Sequence, residues 1–152
     1  MENEKTIAVL NKLITINNDR IEGYQTASDE TEEQDLKTMF AEFTSTSEKC
    51  KIELISEVNK LGGEIAEGTL ASGKFFRVWM DVKAALTGKD RKTILDSCEY
   101  GEDVAKGTYE KVLKDDLAEL SPEQQAIIRI QHSWIKADHD KVKYLRDSLI
   151  TS

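Results

Sequence analysis

Four stretches of this chain repeat apolar residues at three- and four-residue intervals, the period of a helix with one buried face. The first runs from about Lys5 to Ala27 and aligns Ile7, Leu10, Ile14, Ile21 and Tyr24, with Leu13 broadening the stripe. Asn17 falls on the same line. Thr31-Glu-Glu-Gln34 then has the form of a capping box. The second stretch follows to about Leu61 through Leu36, Phe40, Phe43, Ser47, Cys50, Leu54 and Val58. Gly62 and Gly63 end it, since glycine accepts the left-handed conformation that closes a helix C-terminus. The third stretch covers roughly Arg91 to Asp116 and aligns Leu95, Cys98, Glu102, Ala105, Tyr109 and Val112. Ser121-Pro-Glu-Gln124 opens the fourth: serine caps, proline occupies a turn where its missing N–H costs nothing, and glutamine reaches back. Ile128, His132, Ile135, His139, Val142 and Leu145 carry it to about Leu149.

Helices with one apolar face must bury those faces on one another, so the expected fold is all-α, a four-helix bundle. The chain of 152 residues suffices for one domain, 1–152, and is too short to expect two. Short links join the first helix to the second and the third to the fourth, which makes two antiparallel hairpins. The segment Gly62 to Asp90 differs, because a turn between neighbouring helices takes only about 2–8 residues. It contains a short helix of its own, Lys74 to Leu86, with Phe75, Val78, Trp79, Val82 and Leu86 on one apolar face. A connection that long can cross the length of the bundle, as in ferritin-like folds, and then the second and third helices run parallel. The cysteines test this. In parallel helices Cys50 and Cys98 stand about 10 Å apart in height, at roughly 1.5 Å rise per residue, too far for a disulfide. Parallel helices and free thiols are therefore expected together.

The net charge of −8 is spread over interspersed acidic and basic residues, and without a Lys/Arg patch no nucleic-acid partner is expected. No apolar run approaches membrane-spanning length, and Met1-Glu-Asn-Glu-Lys5 lacks the pattern of a signal peptide. A cytoplasmic protein with no membrane partner is the expectation, and two reduced, buried cysteines agree with it.

Asn17, Ser47, Glu102 and His139 all fall on the stripes near mid-helix, although burying an unpaired charge costs several kcal/mol or more. A ferritin-type metal pair needs a Glu on each of two helices and a Glu-x-x-His on each of the others. The matching positions here hold Asn17, Ser47-x-x-Cys50, Glu102 and Lys136-x-x-His139, so only Glu102 and His139 keep the expected ligand chemistry. Two ligands cannot hold two irons. A hydrogen-bonded network is favoured, with Glu102 accepting from His139, Asn17 or Tyr24, and no cofactor is expected. A single iron or manganese ion on Glu102 and His139, with Cys50 nearby, is the alternative. Asn17 to Tyr24 and Glu102 to Tyr109 also form a weak internal repeat, each a polar residue followed by tyrosine seven positions on. Arg20 and Glu22 are expected in surface or helix-edge ion pairs, Asp138 in solvent, and Trp134 beneath the crossover or at a subunit contact.

Longer phrases carry a resemblance. Leu10-Asn-Lys-Leu13, Asn17-Asn-Asp-Arg-Ile-Glu-Gly-Tyr24, Trp79-Met-Asp-Val-Lys-Ala-Ala-Leu-Thr-Gly88, Cys98-Glu-Tyr-Gly-Glu-Asp103 and Ala137-Asp-His-Asp-Lys141 resemble a bacterial family. Its members are ferritin-like four-helix-bundle proteins carrying a domain of unknown function. The resemblance runs from about residue 5 to 148 and implies a ferritin-like fold, a bacterial cytoplasmic setting and a stress-related role. It brings no catalytic residues.

Three functions compete. The favoured one is a non-catalytic bundle acting through association with itself or another protein, since the crossover helix presents Phe76 and Met80 beyond its narrow face and suits a homodimer. The second is a metal-dependent oxidoreductase or iron-handling protein built on Glu102 and His139. The third is a small-molecule binder using a pocket around the polar layer.

Overall fold

The structure, a computed structural model, describes residues 2–66 and 91–151. Four long helices account for most of them: α1 (Glu2–Glu30), α2 (Gln34–Lys60), α3 (Arg91–Asp115) and α4 (Pro122–Thr151). A single 3₁₀ turn, Leu117–Glu119, lies between α3 and α4, and no strand occurs among the described residues. The chain is thus all-α, as its apolar periodicity requires. The short helix expected at Lys74 to Leu86, with Phe76, Trp79 and Met80, lies outside the described residues.

Local signals end and begin these helices. Gly62 has φ +71°, its N–H bonds the Asn59 carbonyl at 3.0 Å, and the Gly63 N–H bonds the Val58 carbonyl at 3.1 Å. That pair of bonds is a Schellman motif, and only glycine takes the left-handed position cheaply. Gly63 serves a different need, because a Cβ there would stand 2.8 Å from Ile7 Cδ1. The capping box of α4 forms in full: Ser121 N–H donates to Gln124 Oε1 at 3.0 Å, and Gln124 N–H donates to Ser121 Oγ at 3.1 Å. The box expected at Thr31 does not form. Thr31 instead continues α1 through its N–H to the Ala27 carbonyl, and its hydroxyl accepts from the Glu33 N–H at 3.2 Å. Glu33 becomes the residue before α2, with no side-chain cap. The link is so short that Thr31 is still held by the preceding helix.

Side-chain pairings set the helix directions. Thr6 meets the Glu119 carbonyl, Asn17 meets Tyr109, and Tyr24 meets Glu102, so α1 and α3 are antiparallel. Lys141 meets Glu42, Gln131 meets Glu53, and Lys60 meets Glu123, so α2 and α4 are antiparallel too. Within the first hairpin, Lys37 reaches the Ser28 carbonyl and Asn11 the Glu64 carbonyl. Both α2 and α3 therefore run against α1, and they are parallel to each other. The expected crossed direction of the second hairpin is what these contacts give. Its connection leaves the end where the Ala66 N–H donates to Asn11 Oδ1 and arrives at the end where Arg91 pairs with Asp35.

The apolar core is divided. One cluster holds Leu10, Leu13, Ile14, Leu54, Val58, Val112, Ile128 and Ile135, with Tyr109 at its border. The other holds Leu36, Met39, Phe40, Phe43, Leu95, Cys98 and Val142, with Tyr24 stacked on Phe40 at 5.5 Å and edge-on to Phe43 at 5.1 Å. Close packing runs along α1 with α2 and along α3 with α4, while the two hairpins meet along sparser seams. Between the clusters, where those seams cross mid-bundle, sits a layer of buried polar side chains.

Candidate functional site

The layer is built by all four helices. From α1, Asn17 and Arg20 are fully buried, and so is Tyr24 one turn on. Ser47 comes from α2, Glu102 and Tyr109 from α3, and Gln131 from α4. Two hydrogen-bond networks result. In the first, Asn17 Nδ2 donates to the Leu13 carbonyl and to the Tyr109 hydroxyl, each at 2.8 Å. Tyr109 donates onward to Gln131 Oε1 at 2.7 Å, and Gln131 Nε2 donates to the Cys50 carbonyl at 3.2 Å and to Glu53 Oε1 at 3.0 Å.

The second network is centred on Arg20. Its guanidinium donates to Ser47 Oγ at 2.5 Å, to Glu102 Oε1 at 2.6 Å and to Asp138 Oδ2 at 3.1 Å. Tyr24 donates to the same Glu102 oxygen at 2.7 Å. Arg20 lies 5.5 Å from the Tyr24 ring centroid, within range of a cation–π contact. A buried arginine, a buried glutamate and a nearly buried aspartate thus share one site.

The electrostatics follow from that arrangement. Burial alone would favour a neutral Arg20, but the attraction of Glu102 and then Asp138 outweighs it, so its pKa is raised and the charge is fixed. Burial, followed by the repulsion of Glu102, lifts the Tyr24 hydroxyl well above its usual value. Burial and the neighbouring Glu102 charge also push Asp138 up to about 6, against the opposing pull of Arg20. Burial raises the Cys50 thiol to about 12 and lifts Cys98 further still. Both cysteines are free and buried, as expected from helices that run parallel, and neither is a thiolate near neutral pH.

Three buried atoms in the layer have no hydrogen-bond partner: Asn17 Oδ1, Arg20 Nε and Glu102 Oε2. The unmet Glu102 oxygen faces no second cation among the described residues. A groove of about 370 Å³ on the α1–α2 side, lined by Gln25, Asp29, Thr44 and Glu48 among others, includes none of these residues.

The expected layer residues Asn17, Ser47, Cys50, Tyr24, Glu102 and Tyr109 are all fully buried at mid-bundle. Glu102 and His139, the pair considered as metal ligands, are not brought together. Glu102 accepts from Arg20 and Tyr24, whereas His139 Nε2 faces Asp103 Oδ1 at 2.6 Å and its Nδ1 faces Asp140 Oδ1 at 3.1 Å.

Several outer residues differ from expectation. Arg20 is fully buried rather than at a helix edge, and Asp138 keeps only 16% side-chain exposure rather than lying in solvent. Gln131 takes the inner position that His132 was expected to hold, and His132 pairs at the surface with Glu110 at 3.0 Å. Trp134 carries the Lys49 ammonium 4.1 Å from its ring centroid, and the crossover it was expected to pack beneath lies outside the described residues.

A ferritin-type metal pair does not fit this donor set. The space beside Glu102 is taken by a guanidinium, whose positive charge opposes a nearby metal cation. The neutral side chains Asn17 and Ser47 and the protonated Cys50 replace the carboxylates that would neutralise two dications.

Residues 5–115 match the family described as "Domain of unknown function (DUF2383)". The match covers α1, α2 and α3 almost entirely and stops before α4. No protein of curated description matches the chain.

Proposed function

We propose that this chain, which belongs to that domain-of-unknown-function family, is a ferritin-like bundle acting through self-association rather than catalysis. The observation carrying this reading is the Arg20 guanidinium between Glu102 and Asp138, at 2.6 and 3.1 Å. A permanent side-chain cation balances the mid-bundle carboxylate that a metal would otherwise have to neutralise. The parallel course of α2 and α3 supports the ferritin-like assignment, because that topology requires a crossover between the hairpins. The raised pKa of Cys50 and Tyr24 argues against either of them serving as a nucleophile or acid–base group near neutral pH. The association itself is assigned to the segment carrying Phe76 and Met80, a dimer contact inferred from its apolar surplus. A cytoplasmic, bacterial setting with a stress-related role belongs to the same reading.

Two measurements test it. Sedimentation velocity across a wide concentration range should show a dimer that the paired change Phe76→Ser and Met80→Ser converts to monomer. A wild-type monomer at every concentration would overturn the association. Metal analysis of untagged protein should give the same content for wild type and Glu102→Gln. Stoichiometric iron or manganese that disappears in Glu102→Gln would instead establish the rival reading, an oxidoreductase or iron-handling centre at Glu102.

A further inference from the structure

We propose that the outer seam of α3 and α4 carries a divalent-cation site formed by Glu99, Asp103 and His139, suited to a first-row transition ion. Glu99 and Asp103 lie one helical turn apart on α3 and face His139 on α4. One donor atom from each falls within 4.8 Å of the other two. Around a single tetrahedral ion with bonds of about 2.0–2.2 Å, donors stand about 3.4 Å apart, so side-chain adjustments of about 1 Å close this set. Three protein ligands leave the remaining positions to water.

The surroundings favour a ligand role for His139. Asp140 Oδ1 lies 3.1 Å from Nδ1 and Asp103 Oδ1 lies 2.6 Å from Nε2, so an ion that takes the place of the Nε2 proton leaves Nδ1–H to donate to Asp140. A carboxylate on the far ring nitrogen is the usual support of a metal-binding histidine, since it fixes tautomer and ring orientation. Glu99 and His139 keep 15% and 11% side-chain exposure and are held in place, while Asp103 at 57% is open to solvent and gives an ion its entry. Two carboxylates and one neutral imidazole balance a dication, and the nitrogen donor favours zinc-like ions over magnesium or calcium.

Arg146 pairs with Glu99 here and holds the place of the cation. It has other acidic neighbours to move to, with Asp147 at 2.8 Å and Asp96 at 4.0 Å. The site is separate from the buried network. Glu102 and Asp138, each adjacent in sequence to one of its ligands, turn inward to Arg20.

Calorimetric titration of the full chain with Zn²⁺ in excess Mg²⁺ tests this. One Zn²⁺ per chain is expected, with binding weakened by about tenfold or more in His139→Ala and in Asp103→Asn. Asp103 is exposed, so Asp103→Asn reports on the site even if His139→Ala impairs folding. Arg146→Ala should bind more tightly, because the competing cation is gone. His132→Ala removes the only other histidine and should bind as wild type does, as should Glu102→Gln. Unchanged binding in Asp103→Asn, or loss of binding in His132→Ala or Glu102→Gln, would overturn the site. The Glu102→Gln result also separates this outcome from any failure of the proposed function.

Discussion

Removing the Arg20 charge is the sharpest test of the buried network. In Arg20→Met the side chain keeps much of its length and apolar stem, but Glu102 loses its cation and Ser47 a donor. Glu102 is fully buried, and breaking a buried ion pair from one side costs about 3–5 kcal/mol because the remaining charge is uncompensated. Domains are typically stable by only about 5–15 kcal/mol, so this is a large fraction of the total. At roughly 2–4 °C per kcal/mol for a chain of this size, the thermal midpoint should fall by about 6–20 °C. Thermal melting followed by helical circular dichroism measures this shift, and urea unfolding measures the free-energy loss.

A further arm isolates charge from packing. Arg20→Met combined with Glu102→Gln removes the stranded carboxylate, and should recover more than half of the loss. A cost below about 1 kcal/mol, or a double variant no better than Arg20→Met, would refute the argument that Arg20 is present to balance Glu102.

Asp138 makes a separate pH prediction. Its folded pKa of about 6 against an ordinary 3.8 means that its contribution to stability falls as pH rises through that window, by about 3 kcal/mol at 1.36 kcal/mol per unit. Asp138→Asn lacks this loss, so its stability relative to wild type should rise by that amount between pH 4 and 6 and then level off; a flat difference would show that burial does not control Asp138. Both thiols should resist a thiol-reactive disulfide in the folded protein and react fully on unfolding, and rapid labelling of either in native buffer would contradict their burial. Gly62→Ala should cost about 1–2 kcal/mol through its positive φ, measured by denaturant midpoint, with no loss meaning that the turn relaxes. Gly63→Ala should cost about 1–3 kcal/mol by pressing on Ile7, and Ile7→Ala in the same chain should return part of it; strictly additive losses would exclude that contact as the cause.

Much of this architecture is legible in the residue pattern because helical stripes repeat so regularly here. The positions that escaped share one cause. After Asn17 the stripe can pass through Arg20 or Ile21, after Ile128 through Gln131 or His132, and after Ile135 through Asp138 or His139. A helix of 3.6 residues per turn satisfies both intervals, and the more hydrophobic or more ligand-like residue is the natural choice. At the first two places the structure buries the other one, and at the third it turns Asp138 into the network beside His139. A signal for Arg20 did exist. Glu102 on an apolar stripe demands a countercharge, and Arg20 lies one turn from Asn17, the residue aligned with Glu102 in the internal repeat. Nothing comparable marks Gln131, whose amide accepts from the Tyr109 hydroxyl and donates to the Cys50 carbonyl and Glu53 across the bundle. The outer cluster at Glu99, Asp103 and His139 was equally hidden, since it depends on the rotation of α3 against α4.

The internal repeat also explains why the countercharge stands on α1. Asn17 bonds the tyrosine of α3, and Glu102 bonds the tyrosine of α1, so the two contacts are one motif used twice in opposite directions. The repeat departs from symmetry at its first position, where an amide on α1 corresponds to a carboxylate on α3. It departs again three residues later, where Arg20 corresponds to Ala105, both fully buried. Those two departures are a negative charge and the positive charge paired with it at 2.6 Å. The Arg20–Glu102 pair between the two copies of the repeat therefore meets the charge of one layer carboxylate from within the chain. It also fixes the register of the hairpins, because sliding either one by a helical turn would part Arg20 from Glu102 and each tyrosine from its partner.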